Sequence, residues 1–293
     1  MDIGVEEYCS VLKKTGYEVR IVDNVAWYNV APMVFTTVDP CACIDSSKLR
    51  LKTVLAKKGV VARFTCREGQ GRSSYRLQVS NKSYDLTSLK QKSRNQTKRG
   101  LENFEVGPLS VDDARNEGER LFIETLERQG RKVPSSLKES WDIYYEAAKK
   151  CGCIDIWGAR RDGELGALLI AWRMNGTANI TILRSSKSLL KFYPNNALIY
   201  SYIRNVLTGG VVNAVSIGLE SIQGGMSGLD SFKLGMGFNK EPIEQRVELR
   251  WPLSNRLIFS GLKKMVTFTN YCKPGVNTAK AVGMLQWWED MYD

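Results

Sequence analysis

Between residues 153 and 185 the chain runs as three alternating stretches divided by Asp162-Gly163 and Asn175-Gly176. Two-residue loops of this composition adopt the left-handed backbone of a type I′ turn, whose twist matches that of the strands on either side. The segment is therefore predicted to be a three-stranded antiparallel meander, with strands near 153–160, 164–174 and 177–185. A chain with that meander at its centre is not a helical bundle, and the segments around it decide which sheet it joins.

Upstream of the meander, 104–109 reads as a strand, and Ser110 caps a helix with Asp112 and Asp113 in its first turn. That helix runs to about Gln129, where Gly130 ends it, and a second helix spans roughly 135–150. Downstream come a helix (194–208), a strand (212–218), a short helix (227–235) and a strand (242–250). The order over 104–250 is β-α-α-β-β-β-α-β-α-β. Helices near 253–269 and 276–290 follow, and Trp287-Trp288 is expected to pack rather than bind.

The first hundred residues are less regular. Residues 3–15 read as a helix, 17–23 as a strand, and the stretch containing Pro32 and Pro40 as a loop. Residues 46–58 read as a basic helix. Strands at 60–65 and 75–79 flank Gly69-Gln70-Gly71, a hairpin signal. From 86 to 102 a very polar helix carries Lys90, Arg94 and Lys98 on one side and Lys92 and Arg99 on the other. Having little apolar face to bury, it is expected to bridge two lobes or touch ligand.

Charge is distributed as unevenly as pattern. The chain of 293 residues has net charge +11, and residues 41–100 hold fifteen Lys or Arg against Asp45, Glu68 and Asp85. A field this local predicts an anionic partner. The sequence contains no histidine, which excludes every mechanism that relays protons or binds metal through imidazole. Seven cysteines, including Cys41/Cys43 and Cys151/Cys153, are read as reduced thiols, with no metal site and no tightly bound cofactor. No apolar run is long enough to cross a bilayer and no signal pattern opens the chain, so a cytoplasmic protein is expected.

Two stretches carry a family resemblance. Pro194-Asn195-Asn196-Ala197-Leu198-Ile199 and Phe232-Lys233-Leu234-Gly235-Met236-Gly237-Phe238 resemble elements of the Fem-like and BioF-like branch of the GNAT acyltransferase superfamily. Residues 84–102 and 124–131 look like the helix joining the two lobes and the end of the first cleft helix in Fem-like proteins. The resemblance spans about residues 15–250. It implies an α/β (α+β) fold, a GNAT-like mixed, mostly antiparallel sheet flanked by helices in two lobes, the first reduced. The expected division is 1–103, 104–252 and a helical extension at 253–293.

The resemblance also implies a transferase that moves an acyl or aminoacyl group from an activated donor to an amine. Acyl-CoA, an acyl-carrier thioester or an aminoacyl-tRNA would be the co-substrate. One departure bears on that choice. CoA-binding GNAT proteins place a glycine-rich phosphate loop after the fourth strand, whereas residues 184–193 here contain no glycine, a lack shared with the tRNA-using Fem-like proteins. Two alternatives stay open: a tRNA-dependent aminoacyltransferase that builds a peptide bridge or modifies an envelope component, and a non-catalytic binder of nucleic acid or another polyanion. CoA, a carrier protein, tRNA, an envelope precursor or a membrane surface contacted peripherally are the partners considered.

Acyl transfer needs a polarised carbonyl, a proton acceptor for the amine and an accommodated leaving group. Lys233 matches a basic family position near the donor and is the candidate to stabilise an oxyanion or phosphate. Glu220, ahead of the Gln223-Gly224-Gly225 loop, is the candidate base, and Tyr200 or Tyr193 the candidate acid. Arg184, Ser185, Asn195 and Asn196, with Tyr193, are the candidate donor contacts; Glu124, Arg128, Arg94 and Arg99 are the candidate acceptor contacts.

Overall fold

The computed structural model describes residues 1–223, 227–273 and 275–292. Helix α1 (Ile3–Lys14) begins where the Asp2 carboxylate accepts from the Gly4 and Val5 N–H groups. Strands β1 (Val19–Val22), β2 (Val25–Ala31) and β3 (Val34–Thr37) follow as an antiparallel meander. The predicted loop around Pro32 is therefore largely strand. Asp23 and Asn24 take positive φ of 51° and 63° and turn β1 into β2, and Pro32 sits in the next turn beside Met33 at φ 64°. Proline here marks the turn between two strands, not the absence of strands.

Next come β4 (Cys43–Ile44), the short α2 (Leu51–Leu55), β5 (Val61–Cys66) and β6 (Arg72–Val79). The basic helix predicted over 46–58 shrinks to a 3-10 turn at Ser46–Lys48 and the five residues of α2, because Ala56 leaves the helical region at φ 40°. The remaining elements are α3 (Gln91–Asn103), β7 (Glu105–Pro108), α4 (Val111–Arg128), α5 (Leu137–Ala148), β8 (Ile154–Arg161), β9 (Glu164–Met174) and β10 (Thr177–Ser185). They are followed by α6 (Pro194–Thr208), β11 (Ala214–Leu219), α7 (Ser227–Gly235), β12 (Asn239–Leu249), α8 (Arg256–Cys272) and α9 (Val276–Tyr292). The predicted order over 104–250 is observed throughout. Both meander turns carry the expected positive φ, at Asp162-Gly163 and Asn175-Gly176.

The strands form one sheet in the order β1-β2-β3-β5-β12-β6-β11-β10-β9-β8-β7, with β4 on β5. Only β3–β5, β4–β5 and β10–β11 pair in parallel. The expected hairpin of β5 and β6 does not form, because β12 inserts between them and pairs with both. The glycine-rich turn has another use: the N–H groups of Gly69, Gln70 and Gly71 donate to the Glu244 carboxylate at 2.8, 2.9 and 2.7 Å. A carboxylate of the inserted strand thus occupies the concave turn that a tight hairpin would have closed. The same insertion places β6 between two strands from beyond residue 104, so a boundary there separates chain order rather than sheets.

Alternation along β9 assigns the two faces. Ala167, Leu169 and Ala171 point to the core under α6, whereas Leu168, Ile170, Trp172 and Met174 point to α4, α5 and α1. Helix α6 is sunk into its face, with Leu198, Ile199 and Ile203 fully buried, each contributing about 1.5–3 kcal/mol. Helix α3 also packs here, against expectation, through the small residues Ser93, Thr97 and Gly100. A Cβ on Gly100 would lie 2.7 Å from the Tyr193 carbonyl oxygen, so the close approach of α3 to α6 replaces apolar area. Helix α9 covers β12 with Leu285, Trp287 and Trp288, all packed as expected.

Candidate functional site

Strands β10 and β11 pair only from Thr177–Asn179 with Ala214–Ser216 and then part. Beyond that point β10 stays on β9 after a bulge between Ile180 and Ile182, and β11 stays on β6 after an irregularity between Ser216 and Leu219. Gly218, at φ 108°, supplies a backbone conformation that a side chain would strain. The result is a V-shaped slot through the sheet, at the place expected near Leu183–Ser185 and Ile217–Glu220.

On the α6 face the slot is bordered by α7 and β6. The Tyr75 hydroxyl donates to Asp230 Oδ2 at 2.7 Å, and the Lys240 ammonium lies 4.0 Å from the centre of the Tyr75 ring. Burial, then the Asp230 bond and charge, push the Tyr75 hydroxyl up to about 12, so it is a proton donor at neutral pH. Lys233 shares this neighbourhood. Burial draws its ammonium below the ordinary lysine value, and Asp230 opposes that shift. Sequence reading found Lys233 and missed Asp230, one helical turn before it on α7, and Tyr75, which the pairing of β6 beside β11 brings in.

At the end of β11, Glu220 joins a network that crosses three strands. Its Oε2 accepts from Ser74 Oγ at 2.7 Å, Ser74 Oγ accepts from Gln245 Nε2 at 2.7 Å, and Gln245 Oε1 accepts from Arg63 Nε at 3.0 Å. Arg63 Nη2 closes the circuit on the Glu220 carbonyl oxygen at 2.9 Å. Burial lowers Arg63 to about 10, against the attraction of Glu220. Glu220 is thus fixed in place at the slot; Gly224 and Gly225 of the loop after it lie outside the described residues.

On the α4 face, the end of β10 carries Arg184. The Arg184 guanidinium stacks on Phe122 at 4.3 Å, donates from Nη1 to its own strand at Leu183 O, and has an Nε without a hydrogen-bond partner among the described residues. Burial, then the charges of Arg131 and Arg128, hold it below the ordinary arginine value. Lys280, from α9, is likewise lowered by burial and by Arg131 and Arg63. Arg131 and Arg128 thus act on Arg184, and Arg131 and Arg63 on Lys280, a set of repulsions that an anion would relieve. Arg184 and Arg128 were expected; Arg63, Arg131 and Lys280 were not, since nothing in their local sequence distinguishes them.

The backbone after β10 meets a protein carboxylate. Glu124 Oε2 accepts from the Lys187 N–H at 2.6 Å, and its Oε1 from Arg120 at 2.9 Å. The Ser186 N–H donates to Gly166 O at 2.9 Å, and Ser186 Oγ meets Ser188 Oγ. Burial raises the Glu124 carboxyl, but the Lys187 and Arg120 bonds outweigh it and the net shift is downward. Glu124 is therefore an anchor for this segment, paired with Arg120 and not with Arg128.

Other expected residues fall elsewhere. Tyr200 is 4% exposed in the core with its ring 5.7 Å from Tyr84, so it is a packing residue and not an acid in the slot. Ser185 is buried and accepts from Asn195 Nδ2 at 3.1 Å, while the Asn196 amide is buried against Met236, so these groups brace the start of α6. Tyr193 sits just ahead of them at φ 63°. Arg94 donates to the carbonyls of Leu86 and Leu89 at 2.9 and 3.0 Å and so holds its own chain. Arg99 is exposed on α3. Because α3 and α4 lie on opposite faces of the sheet, Arg94 and Arg99 do not share a surface with Glu124 and Arg128.

This architecture recurs in solved structures. A crystal structure of FemX superposes with a TM-score of 0.61, 12% identity, and coverage of 86% of this chain and 93% of that one. The chain has the fold of FemX. L-PGS from Bacillus licheniformis gives a TM-score of 0.53, 15% identity, and coverage of 87% and 96%. The shared fold covers the mixed, mostly antiparallel sheet and the helices that flank it. No protein-family model matches the sequence, and no curated protein matches it.

Proposed function

We propose that the protein transfers an aminoacyl group from a charged tRNA to an amine acceptor, with the reaction at the slot between β10 and β11. The observation that carries this reading is the Glu124 carboxylate on the Lys187 N–H, at the position where a CoA pyrophosphate would need free backbone donors. A protein anion there disfavours CoA. The cations Arg63, Arg128, Arg131, Arg184 and Lys280 instead suit the spread phosphates of a nucleic acid. FemX and L-PGS share the fold, as does the C-terminal domain of an Agrobacterium fabrum protein named for lysylphosphatidylglycerol synthetase, a name that refers to an aminoacylated product and supports aminoacyl chemistry.

In this reading the acceptor amine attacks the ester carbonyl, Glu220 takes its proton, and the bond to the ribose oxygen breaks. Lys233 supports the charge that develops on the carbonyl oxygen, and Tyr75, a donor held by Asp230, protonates the departing oxygen. The test is thermal stabilisation with charged tRNA, uncharged tRNA, CoA and acetyl-CoA at physiological salt, followed by release of a labelled aminoacyl group upon adding amines. Stabilisation by charged tRNA and amine-dependent release are expected. A response confined to acetyl-CoA would replace this reading with CoA-dependent acyl transfer, and low-salt binding without release would leave a polyanion binder.

A further inference from the structure

Helix α8 presents an apolar face that none of the described residues covers. Its inner side packs Phe259, Leu262 and Val266 toward α9, with Phe259 against Trp288 at 4.3 Å. On its outer side Leu257 is 87% exposed, Met265 60%, Phe268 68% and Tyr271 85%. Leu257, Phe268 and Tyr271 fall with Gly261 and Lys264 at helical spacing and so share one outward stripe, with Met265 at its margin. Trp251, 76% exposed just before α8, extends the patch.

The chain around that stripe is rich in cations, with Glu289 of α9 paired to Lys263 on the inner side. From residue 249 to 288 the sequence holds Arg250, Arg256, Lys263, Lys264, Lys273 and Lys280 and no acidic residue. Lys264 stands exposed within the stripe. Beside the patch opens a cavity of about 1090 Å³, walled by Leu51, Leu55, Trp251 and Trp288, with Lys52, Arg250 and one carboxylate, Glu248, in its lining. Exposed aromatic and aliphatic groups set in basic surroundings match a surface that is apolar beneath an anionic layer. No helix of the described residues is long and apolar enough to cross a membrane, so the match is to contact along the surface.

We infer that α8 docks the protein on an anionic phospholipid bilayer, with Trp251, Leu257, Phe268 and Tyr271 entering the interface and Lys264 meeting the headgroups. Because α9 packs on α8 and carries Lys280, on which Arg131 and Arg63 act, docking fixes the slot at a set orientation to that surface. The inference stands on the exposed face alone and is independent of which donor the slot takes.

The full chain would be sedimented with phosphatidylcholine vesicles with and without about 30 mol % phosphatidylserine. Wild type is expected to pellet with the anionic vesicles and to be released by salt. The double variant L257S/F268S is expected to bind at least about tenfold more weakly at unchanged Tm, with K264E also weakened. Quenching of tryptophan fluorescence in the wild type by brominated lipid is a second readout that needs no variant, and it is expected on anionic vesicles. Absence of binding, equal binding by L257S/F268S, or no quenching would overturn the inference. So would a vesicle-free dimer that the double variant dissolves, since a second copy would then cover the face.

Discussion

Glu124 Oε2 lies 2.6 Å from the backbone nitrogen of Lys187, so a protein carboxylate occupies the N–H that follows β10. In the proposed reading this contact separates the two donor classes. E124A frees the N–H and is expected to lower stability by about 1 kcal/mol, seen as a reduced urea midpoint at constant m-value. CoA is expected to stabilise E124A more than wild type in a thermal-shift comparison. Identical responses would show that the carboxylate is not what excludes CoA.

Lys233 and Asp230 set an alkaline limit. An ammonium already lowered by burial is lost as pH rises through its folded value, and Asp230 delays that loss. D230N is therefore expected to move the high-pH limb of kcat/KM to lower pH. K233M is expected to reduce kcat by about 10²-fold or more without loss of fold, as for removal of a group that stabilises developing charge. An unmoved pH profile in D230N would remove Lys233 from the chemistry.

The mutually repelling cations trade stability against binding. Lys280 is held below its ordinary value by burial, Arg131 and Arg63, so the protonated side chain disfavours the empty fold. K280Q is expected to raise Tm slightly without donor, to weaken tRNA binding, and to reduce the slope of log K against log salt by roughly 1. Calorimetry and filter binding over a salt series measure both effects, and an unchanged slope would place Lys280 outside the donor path.

Glu244 governs the insertion of β12. Its carboxyl lies below the ordinary value of 4.5 chiefly through the Gly69 N–H, against burial, with Gly71 and Gln70 adding to the lowering. A lowered folded value means stability that is present above pH 4.5 and is lost as pH falls through the folded value. E244Q is expected to cost on the order of 1–3 kcal/mol at neutral pH and to flatten the acid limb of the stability curve, read by urea unfolding from neutral pH downward.

A Cβ on Gly283 would fall 1.9 Å from the Ile222 carbonyl oxygen. G283A is therefore expected to push α9 off the end of β11, destabilising the protein by about 1–3 kcal/mol. Because α9 carries Lys280, tRNA affinity is expected to fall with it. Wild-type stability in G283A would show that the two segments can separate freely.

The local code determined the second half of the fold. Asp162-Gly163 and Asn175-Gly176 set the meander, Ser110 and Gly130 bounded α4, and periodicity placed α6, β11, α7 and β12, because each signal acts through the backbone of a few neighbouring residues. Where long-range pairing competed, the local signal lost. Gly69-Gln70-Gly71 reads as a hairpin, yet it receives the carboxylate of a strand some 170 residues away. The polar helix α3 buries itself through Ser93, Thr97 and Gly100, small residues that carry no hydrophobic period.

The site divided along the same line. Lys233, Glu220, Arg184 and Arg128 could be singled out from motif and charge, since each lies in or beside a recognisable element. Tyr75, Arg63 and Lys280 join the candidate site only through the order of strands, which sets β6 against β11 and lays α9 over the sheet. Sequence determined which segments are helix and which are strand, because that is a matter of neighbouring residues. Only tertiary structure decided which charges act on one another, because mutual repulsion, burial and proton affinity depend on distances through space.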